Sequence, residues 1–461
     1  MHRNARYALI AALMLIALAA RIIPTPRTID DAFITFRYSR NIVEGEGFVY
    51  NPGVHTLGTT TPLYTVLMAA ISAVTGAQDF QWYALIVNAL ADAGTVALLY
   101  LLMRRLTGSD WVGVIPAVLW AVSPMSVTFA VGGMETSVTI LWMVAATWCY
   151  VDKRDVWLGV FAALGLLTRI DAALWVGPLL AFQLFERLWS NRAESLLKRI
   201  PYRTWATAAL VLLPWVVFSV GYFGTPLPNS LAAKSLAYRL PSESALVRMI
   251  QTYSNPFFEF DTFGALGAML GSVIYLALSL MAMLYTARRQ PRLLPFLLYP
   301  WLYLLAFAVL NPLIFRWYMA PPLPALMFGI VIGVWALIER LRERERLRVI
   351  VPVVMGAAGA VWLFTSLNAW TLTHDHGPQR PAPKMAFHLI ELYYQQIAEQ
   401  LRDDYGVTPE TRVASGDIGA VGYFSRATII DTVGLVTPEL SRYYPIPSEL
   451  IVDGQNYAIP P

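Results

Sequence analysis

The sequence predicts a mainly α-helical, polytopic membrane protein, because its composition is apolar and long apolar segments recur along the chain. Hydrophobic residues make up 57% of the 461 residues, charged residues make up only 14%, and the mean hydropathy is +0.52. Soluble domains carry about 25% charged residues, so lipid is the expected solvent for most of this chain. The net charge of +4 is spread over many short clusters, which argues against nucleic acid as a partner.

Eleven segments approach or reach the length that a helix needs to cross a hydrocarbon core of ~30 Å. The predicted spans are 7–23, 82–103, 111–130, 133–151, 156–168, 172–188, 205–223, 264–285, 293–313, 317–337 and 349–370. Lys and Arg concentrate in alternate connecting segments, such as 104–110, 187–204 and 338–348. Because basic residues accumulate in cytoplasmic loops, this pattern predicts an N-terminus inside and a C-terminus outside an inner membrane.

This topology leaves three long segments outside the membrane, at 24–61, 224–263 and 371–461. The apolar stretch 62–75 is too short to cross, so it predicts an interfacial amphipathic helix within a first outer loop at 24–81. We therefore expect a transmembrane module at 1–370, which includes the second long outer loop, and a small extracytoplasmic domain at 371–461.

The last outer segment carries the pattern of a small α/β unit. TRVAS at 411–415 and ATIID at 427–431 are typical of strands, and IGAVGYFS at 418–425 between them is typical of a short helix. The segment 384–403 predicts a further helix that packs beside this unit. The C-terminal domain is therefore expected to be α/β, in contrast to the helical module before it.

The first outer loop carries the clearest chemical pattern, an acidic pair at the start of an amphipathic helix. Asp30 and Asp31 fall in its first turn, where the helix dipole favours carboxylates. Thr28, three residues before Asp31, suggests a capping box, and a cap is the simplest role for Asp31 alone. Counting on from Asp30 by helical steps reaches Arg37 and Asn41, so a carboxylate, a guanidinium and an amide share one face.

This loop and six further segments, taken in order, resemble the GT-C superfamily of polyprenyl-phosphate-sugar glycosyltransferases. The similarity is to its arabinofuranosyltransferase-like and protein-mannosyltransferase-like bacterial branch. The segments are DDAFITFRYSRNIVEGEGFVYNPG (30–53), GTTTPLY (58–64), GGMET (132–136), LTRIDAAL (167–174), GTPLPNSLAAK (224–234), FRWYMAPPLPAL (315–326) and GDIGAVGYFS (416–425). The resemblance implies the GT-C fold and transfer of a sugar from a lipid-phosphate donor to an extracytoplasmic glycan, lipid or protein by inverting single displacement.

By the same resemblance, Asp30 is the general base that activates the acceptor hydroxyl. Asp31 assists it, either by orienting the acceptor or by binding a metal ion. The leaving lipid phosphate needs cationic stabilisation in a partly dehydrated site. The candidates for this role on the outside are Arg37, Lys234 and Arg316.

Further polar residues are candidates for acceptor binding or for support of the site. They are Glu135, Asn229, Arg169, Asp171 and Asp417, of which Arg169 and Asp171 also suit a structural ion pair. A divalent metal remains an open prediction, with Asp31 and Glu135 as its possible ligands, and no other cofactor is expected. The expected partners are the lipid-linked donor, the acceptor and membrane lipids.

Two alternatives remain open at this point. One is a secondary transporter, since Asn88 and Asp92 lie four residues apart within the predicted span 82–103, and an acid at membrane depth is often functional. The sequence shows no internal repeat of the kind that transporters usually carry. The other is a membrane ligase that moves a preassembled glycan from a lipid diphosphate.

Overall fold

The structure of the protein is a computed structural model that describes residues 2–190, 195–237, 240–254, 260–341 and 386–444, with isolated positions at 349–360 and 447–449. Its helices are α1 (Arg3–Ile22), α2 (Asp30–Val43), α3 (Pro62–Thr75), α4 (Phe80–Thr107), α5 (Asp110–Val122), α6 (Pro124–Val131), α7 (Thr136–Val151), α8 (Asp155–Thr168), α9 (Ala173–Ser190), α10 (Leu196–Arg199), α11 (Tyr202–Phe223), α12 (Asn229–Ala237), α13 (Ser244–Tyr253), α14 (Phe260–Arg289), α15 (Leu294–Leu310), α16 (Leu323–Leu341), α17 (Ala386–Asp403) and α18 (Gly419–Ser425). Short 3₁₀ turns lie at Ile170–Ala172, Pro291–Leu293, Arg316–Met319 and Pro438–Tyr443. Two strands, β1 (Arg412–Ser415) and β2 (Thr428–Asp431), complete the described elements.

Within these residues, six helices are long and apolar enough to cross a membrane, and a bent pair could supply a seventh span. The six are Arg3–Ile22, Phe80–Thr107, Tyr202–Phe223, Gly264–Arg289, Pro291–Leu310 and Leu323–Leu341. Helices α7 and α8 are apolar but shorter, and the predicted span 349–370 lies outside the described residues apart from isolated positions. The fold is thus that of a polytopic helical membrane protein, while the count of eleven spans stays a prediction.

Two predicted spans differ from the structure for local reasons. The segment 111–130 is not one helix, because it bends by 48° between α5 and α6. Ser123 adopts ψ 127 there, since a residue that precedes proline is excluded from the helical region and Pro124 has no N–H to continue the helix. The predicted span 317–337 begins as a helix only at Leu323, after the 3₁₀ turn Arg316–Met319.

A buried ion pair holds α1 against this bend. Arg21 and Asp92 are both 0% exposed, and Nε of Arg21 donates to Oδ2 of Asp92 at 2.9 Å. The guanidinium also donates to the carbonyls of Trp120 and Ala121, which the break leaves without helical partners. Asp92 accepts further hydrogen bonds from Nε1 of Trp120 at 2.9 Å and from Oγ of Ser137 at 3.0 Å. Every charge in this cluster therefore has a partner inside the bundle.

The C-terminal elements form a parallel β1–α18–β2 unit that packs directly on α2. Residues Arg412 and Thr428 are aligned at one end of the strand pair. The ring of Phe33 on α2 lies 5.4 Å from that of Tyr423 and 5.1 Å from that of Phe424, both on α18. The predicted strands and helix are present, each one residue shorter at its start, and they cover the helix that begins with the acidic pair.

Candidate active site

Helix α2 begins at Asp30, and its first turn is fixed from the other end of the chain. The predicted capping box is wrong, because Ile29 is the N-cap residue and the buried Oγ1 of Thr28 has no partner among the described residues. Instead, Oε1 of Glu391 on α17 accepts a hydrogen bond from the backbone N–H of Asp30 at 2.7 Å. A carboxylate more than three hundred residues away therefore supplies the contact that the local cap was expected to make.

The Asp30 carboxylate binds the start of α18. Its Oδ2 accepts the N–H of Gly419 at 2.9 Å, and its Oδ1 accepts the N–H of Ala420 at 2.7 Å. These N–H groups have no partner within their own helix. Burial raises the pKa of Asp30 to about 7, with the carboxylates of Asp417 and Asp31 also raising it, against the two N–H donors, which lower it. Both oxygens of Asp30 are thus engaged in joining α2 to α18.

Gly419 is required for this contact, and we predict that Gly419→Ala separates the two helices. An ideal Cβ at this position would lie 1.8 Å from the carbonyl oxygen of Asp30, which is backbone and cannot move aside alone. The expected cost in the free energy of unfolding is about 1–3 kcal/mol, measured by chemical unfolding of the purified protein. Gly177→Ala is the control, because its Cβ would meet nothing within 4 Å. Equal stability of both variants would contradict the prediction.

The neighbouring Asp31 differs from Asp30 in its exposure and in its hydrogen bonds. Its side chain is partly exposed, and no described residue donates a hydrogen bond to its carboxylate. Burial raises the pKa of Asp31, and Asp417 raises it further, while Lys234 and Arg169 lower it. Asp31 is therefore the carboxylate of the pair with room for a hydrogen bond from a substrate.

Lys234 reaches this region from α12. Its Nζ donates to the hydroxyl of Tyr318 at 3.2 Å and lies 5.7 Å and 5.6 Å from the ring centroids of Phe315 and Tyr318. The rings of Phe315 and Trp317 stack in parallel with centroids 4.9 Å apart. The rings of Phe315, Trp317 and Tyr318 form an aromatic wall. The ammonium group of Lys234 lies against this wall, near Asp31. The side chain of Arg316, a predicted phosphate ligand, lies outside the described residues.

Arg169, Glu135 and Asp171 form a buried ionic network beside the same wall. One terminal nitrogen of Arg169 donates to Oε1 of Glu135 at 2.8 Å, and its Nε and other terminal nitrogen donate to Asp171 at 2.9 Å each. The guanidinium lies 5.2 Å from the ring centroid of Tyr318, and the hydroxyl of Tyr303 donates to Asp171 at 3.1 Å. The predicted Arg169–Asp171 ion pair is present, and Glu135 joins it.

Arg37 is buried, with 1% of its surface exposed. Its guanidinium donates to the backbone carbonyls of Tyr50, Gly422 and Ala427 at 2.8, 2.7 and 2.6 Å, and to Oδ1 of Asn51 at 3.1 Å. All three nitrogens are therefore engaged with the protein. Arg37 ties the long loop after α2 to the middle of α18 and to Ala427 beyond its C-terminal end, and this placement favours a structural role over the predicted phosphate contact.

The remaining candidates have local partners. Nδ2 of Asn229 donates to the carbonyls of Gly434 and Leu435, so it joins α12 to the C-terminal unit. Asp417 is exposed and accepts a hydrogen bond from the hydroxyl of Tyr394 at 2.6 Å. In the part of the chain that the structure describes, no group of three or more His, Cys, Asp or Glu residues is placed to hold a metal ion.

The sequence analysis did not single out Glu391 or Tyr318. Tyr318 lies in the segment 315–326, and the structure shows that it contacts both Lys234 and Arg169. Glu391 lies in the predicted helix 384–403. A weak signal for it was its position seven residues before the apolar Ala398, because residues seven apart share a helix face.

Comparison with known proteins agrees with this architecture. Residues 59–218 match the family described as dolichyl-phosphate-mannose-protein mannosyltransferase, and residues 386–459 match a domain of unknown function (DUF8728). A curated relative, a terminal β-(1→2)-arabinofuranosyltransferase of Mycobacterium tuberculosis, is 25% identical over 308 residues, which cover 61% of this chain and 45% of the relative. The chain thus matches less than half the length of that protein.

Solved structures share the fold. The Archaeoglobus fulgidus oligosaccharyltransferase in its apo form superposes with a TM-score of 0.59 at 14% identity, covering 93% of this chain and 65% of the other. ArnT from Cupriavidus metallidurans bound to undecaprenyl phosphate superposes with a TM-score of 0.55 at 17% identity, covering 95% and 89%. The fold is thus that of a polytopic membrane protein, and it is similar to the folds of these two proteins. The sequence and fold comparisons agree with the resemblance to GT-C superfamily glycosyltransferases.

Proposed function

We propose that this protein transfers a sugar from a polyprenyl-phosphate carrier to an acceptor hydroxyl on the extracytoplasmic side of the inner membrane. The observation that carries the proposal is the Asp31 carboxylate, which has no donor among the described residues and lies near the cations Lys234 and Arg169. A base next to positive charge is what the transfer needs, because a proton leaves the acceptor while negative charge develops on a phosphate. The basic residues of alternate loops support the orientation.

In the proposed reaction, Asp31 removes the proton of the acceptor hydroxyl as its oxygen attacks the anomeric carbon. The new glycosidic bond forms as the bond from that carbon to the phosphate oxygen breaks, and the lipid phosphate leaves with the electron pair from the opposite face. Lys234 stabilises the leaving phosphate, and Arg316 is a second candidate for this role. Asp30 and Arg37 position α2, and the Glu135–Arg169–Asp171 network supports the aromatic wall.

The lipid and the acceptor reach this site from different sides. A polyprenyl chain is apolar and lies against the spanning helices, as the apolar exposed faces of α11 and α14 allow. The acceptor, a glycan, lipid or protein, enters from water over the C-terminal unit, which we place in a domain at 371–461 beside the transmembrane module at 1–370. The similarity in fold to ArnT with undecaprenyl phosphate supports this arrangement.

A donor panel tests the function. Purified protein in lipid nanodiscs is incubated with polyprenyl monophosphates that carry arabinofuranose, mannose or glucose, with matched polyprenyl diphosphate glycans, and with cell-envelope acceptors. We expect release of polyprenyl phosphate from at least one monophosphate donor. Release only from a diphosphate donor would replace the proposal with the ligase alternative, and no release from any donor would contradict a transferase.

We predict that Lys234→Met lowers turnover of the active donor by about tenfold to a hundredfold, because a hydrogen bond to a charged group is worth roughly 1.5–3 kcal/mol. Initial rates of lipid phosphate release at saturating donor measure the effect. Lys153→Met is the matched control, since it removes a lysine in the short connection between α7 and α8, where it is expected to face the cytoplasm. Unchanged turnover in Lys234→Met would remove this residue from the phosphate site.

A further inference from the structure

Among the residues that the structure describes, Glu391 is a buried carboxyl that contacts the acidic pair and has no role in the reaction described so far. It comes from α17, is 3% exposed, and accepts the backbone N–H of Asp30 through Oε1 at 2.7 Å. Its other oxygen, Oε2, is buried and has no hydrogen-bond partner among the described residues. Ionisation would place a charge on an oxygen that no described donor stabilises, and such burial is strongly unfavourable.

We propose that Glu391 is a positioning residue that works as a neutral carboxylic acid: through the N–H of Asp30 it fixes the first turn of α2, and with it the carboxylate of Asp31. The inference rests on the proposed function, because that function makes Asp31 the base whose position Glu391 fixes. A neutral acid is suited to this place, since it keeps the acceptor oxygen that the N–H requires. It also adds no third negative charge next to Asp30 and Asp31.

The surroundings of Glu391 favour its protonated form. Helices α18 and α2 pack against α17, and their titratable groups are Tyr423 on α18 and Asp30, Asp31, Arg37, Tyr38 and Arg40 on α2. The two cations are directed elsewhere, since Arg37 donates to the carbonyls of Gly422 and Ala427 and Arg40 donates to the carbonyl of Tyr423. The charged side chains that act on the pKa of Glu391 are Asp30 and Asp31. On α17 itself, the hydroxyl of Tyr394 donates to Asp417. Burial raises the pKa of Glu391 to about 9, and Asp30 and Asp31 raise it further, against two backbone N–H donors that lower it.

The sign of the pH dependence follows from this pKa. The folded protein keeps the proton on Glu391 up to about pH 9, whereas the unfolded chain releases it near its ordinary pKa of 4.5. The contribution of Glu391 to the free energy of unfolding is therefore largest below pH 4.5 and decreases as the pH rises toward 9. Glu391→Gln keeps an acceptor oxygen and is neutral at every pH, so this variant should not show the decrease in stability.

The experiment compares Glu391→Gln and Glu391→Ala with the wild type, using the full chain in nanodiscs. Thermal unfolding between about pH 6 and pH 10 should show that the wild-type melting temperature falls relative to that of Glu391→Gln as the pH rises. This measurement needs no substrate, so it stands even if the donor panel fails. Glu399→Gln is the control, because this neighbour on α17 is partly exposed and accepts from Gln395; its profile should follow the wild type.

Activity provides the second readout. We expect Glu391→Gln to keep kcat within a few-fold of wild type and to lose the fall in rate above pH 9. Glu391→Ala should lower kcat by on the order of 10- to 100-fold with little change in the donor KM, because a displaced base slows the chemical step more than binding. Parallel pH–stability profiles of the wild type and Glu391→Gln would overturn the proposal. Equal loss of kcat in folded Gln and Ala variants would also overturn it, since the charge would then be required.

Discussion

An Asp31→Asn variant is expected to lose roughly 10²- to 10⁴-fold in kcat for sugar transfer while remaining folded. An amide cannot take the proton of the acceptor hydroxyl, so the chemical step loses its base. Burial raises the pKa of Asp31, which means that the fold disfavours the charged form. Removing that charge should therefore leave the melting temperature unchanged or raise it, as is common for residues whose chemistry conflicts with stability. Single-turnover assays with the active donor measure the rate.

Two further variants separate catalysis from structure. Asp30→Asn should lower stability by about 1–3 kcal/mol, because its amide nitrogen would face the N–H of Gly419 or Ala420 in place of an acceptor oxygen. Asp79→Asn, an exposed acid just before α4, should change neither rate nor stability. Full activity in Asp31→Asn, together with complete loss in a well-folded Asp30→Asn, would assign the base to Asp30, as the family resemblance implies.

Asp92→Asn is expected to destabilise the transmembrane bundle by about 3–5 kcal/mol, because it leaves the buried guanidinium of Arg21 without its counter-ion. Arg21 would still contact the carbonyls of Trp120 and Ala121, but these carry no full charge. Unfolding of the reconstituted protein by increasing fractions of denaturing detergent measures the loss. The variant that remains folded should still transfer sugar.

The control for this variant is Glu339→Gln, which breaks an exposed pair with Arg289 and should cost at most about 1 kcal/mol. Similar stability of Asp92→Asn and wild type would contradict a structural role for the buried pair. The transporter alternative predicts instead that Asp92→Asn abolishes transport, since a transporter would require Asp92 to change its charge or its partner during each cycle. Asn88 also has a structural role, because it donates to two backbone carbonyls.

Elements specified by local patterns were predicted well. Helix α3 covers the predicted range 62–75, because proline begins it and Gly76, with φ 69, ends it. The strands and the helix of the C-terminal unit also lie within a residue of their predicted bounds. Lengths of spans were less predictable, because a residue such as Pro124 interrupts a helix without changing the hydropathy of its segment.

The candidate site was predictable in its residues and less so in their roles. Spacing brought Asp30, Asp31 and Arg37 onto one helix, and the structure places them there. Asp30 is bound by a residue 389 positions later in the chain, whereas Asp31 has no donor among the described residues. Local spacing does not reveal this difference between the two carboxylates. The same limit applies to Arg37, whose hydrogen bonds to Gly422 and Ala427 are equally remote in sequence.

The contact between α2 and α18 has a consequence for biosynthesis. Ribosomes produce the aspartate pair within the first few dozen residues, but the peptide groups that bind Asp30 are translated 389 residues later. A nascent chain halted before that point would lack the N–H groups that bind Asp30, so the acidic pair would not yet be held in place. Under the proposed function, transfer would therefore begin only after the C-terminal unit has been synthesised and has packed on α2.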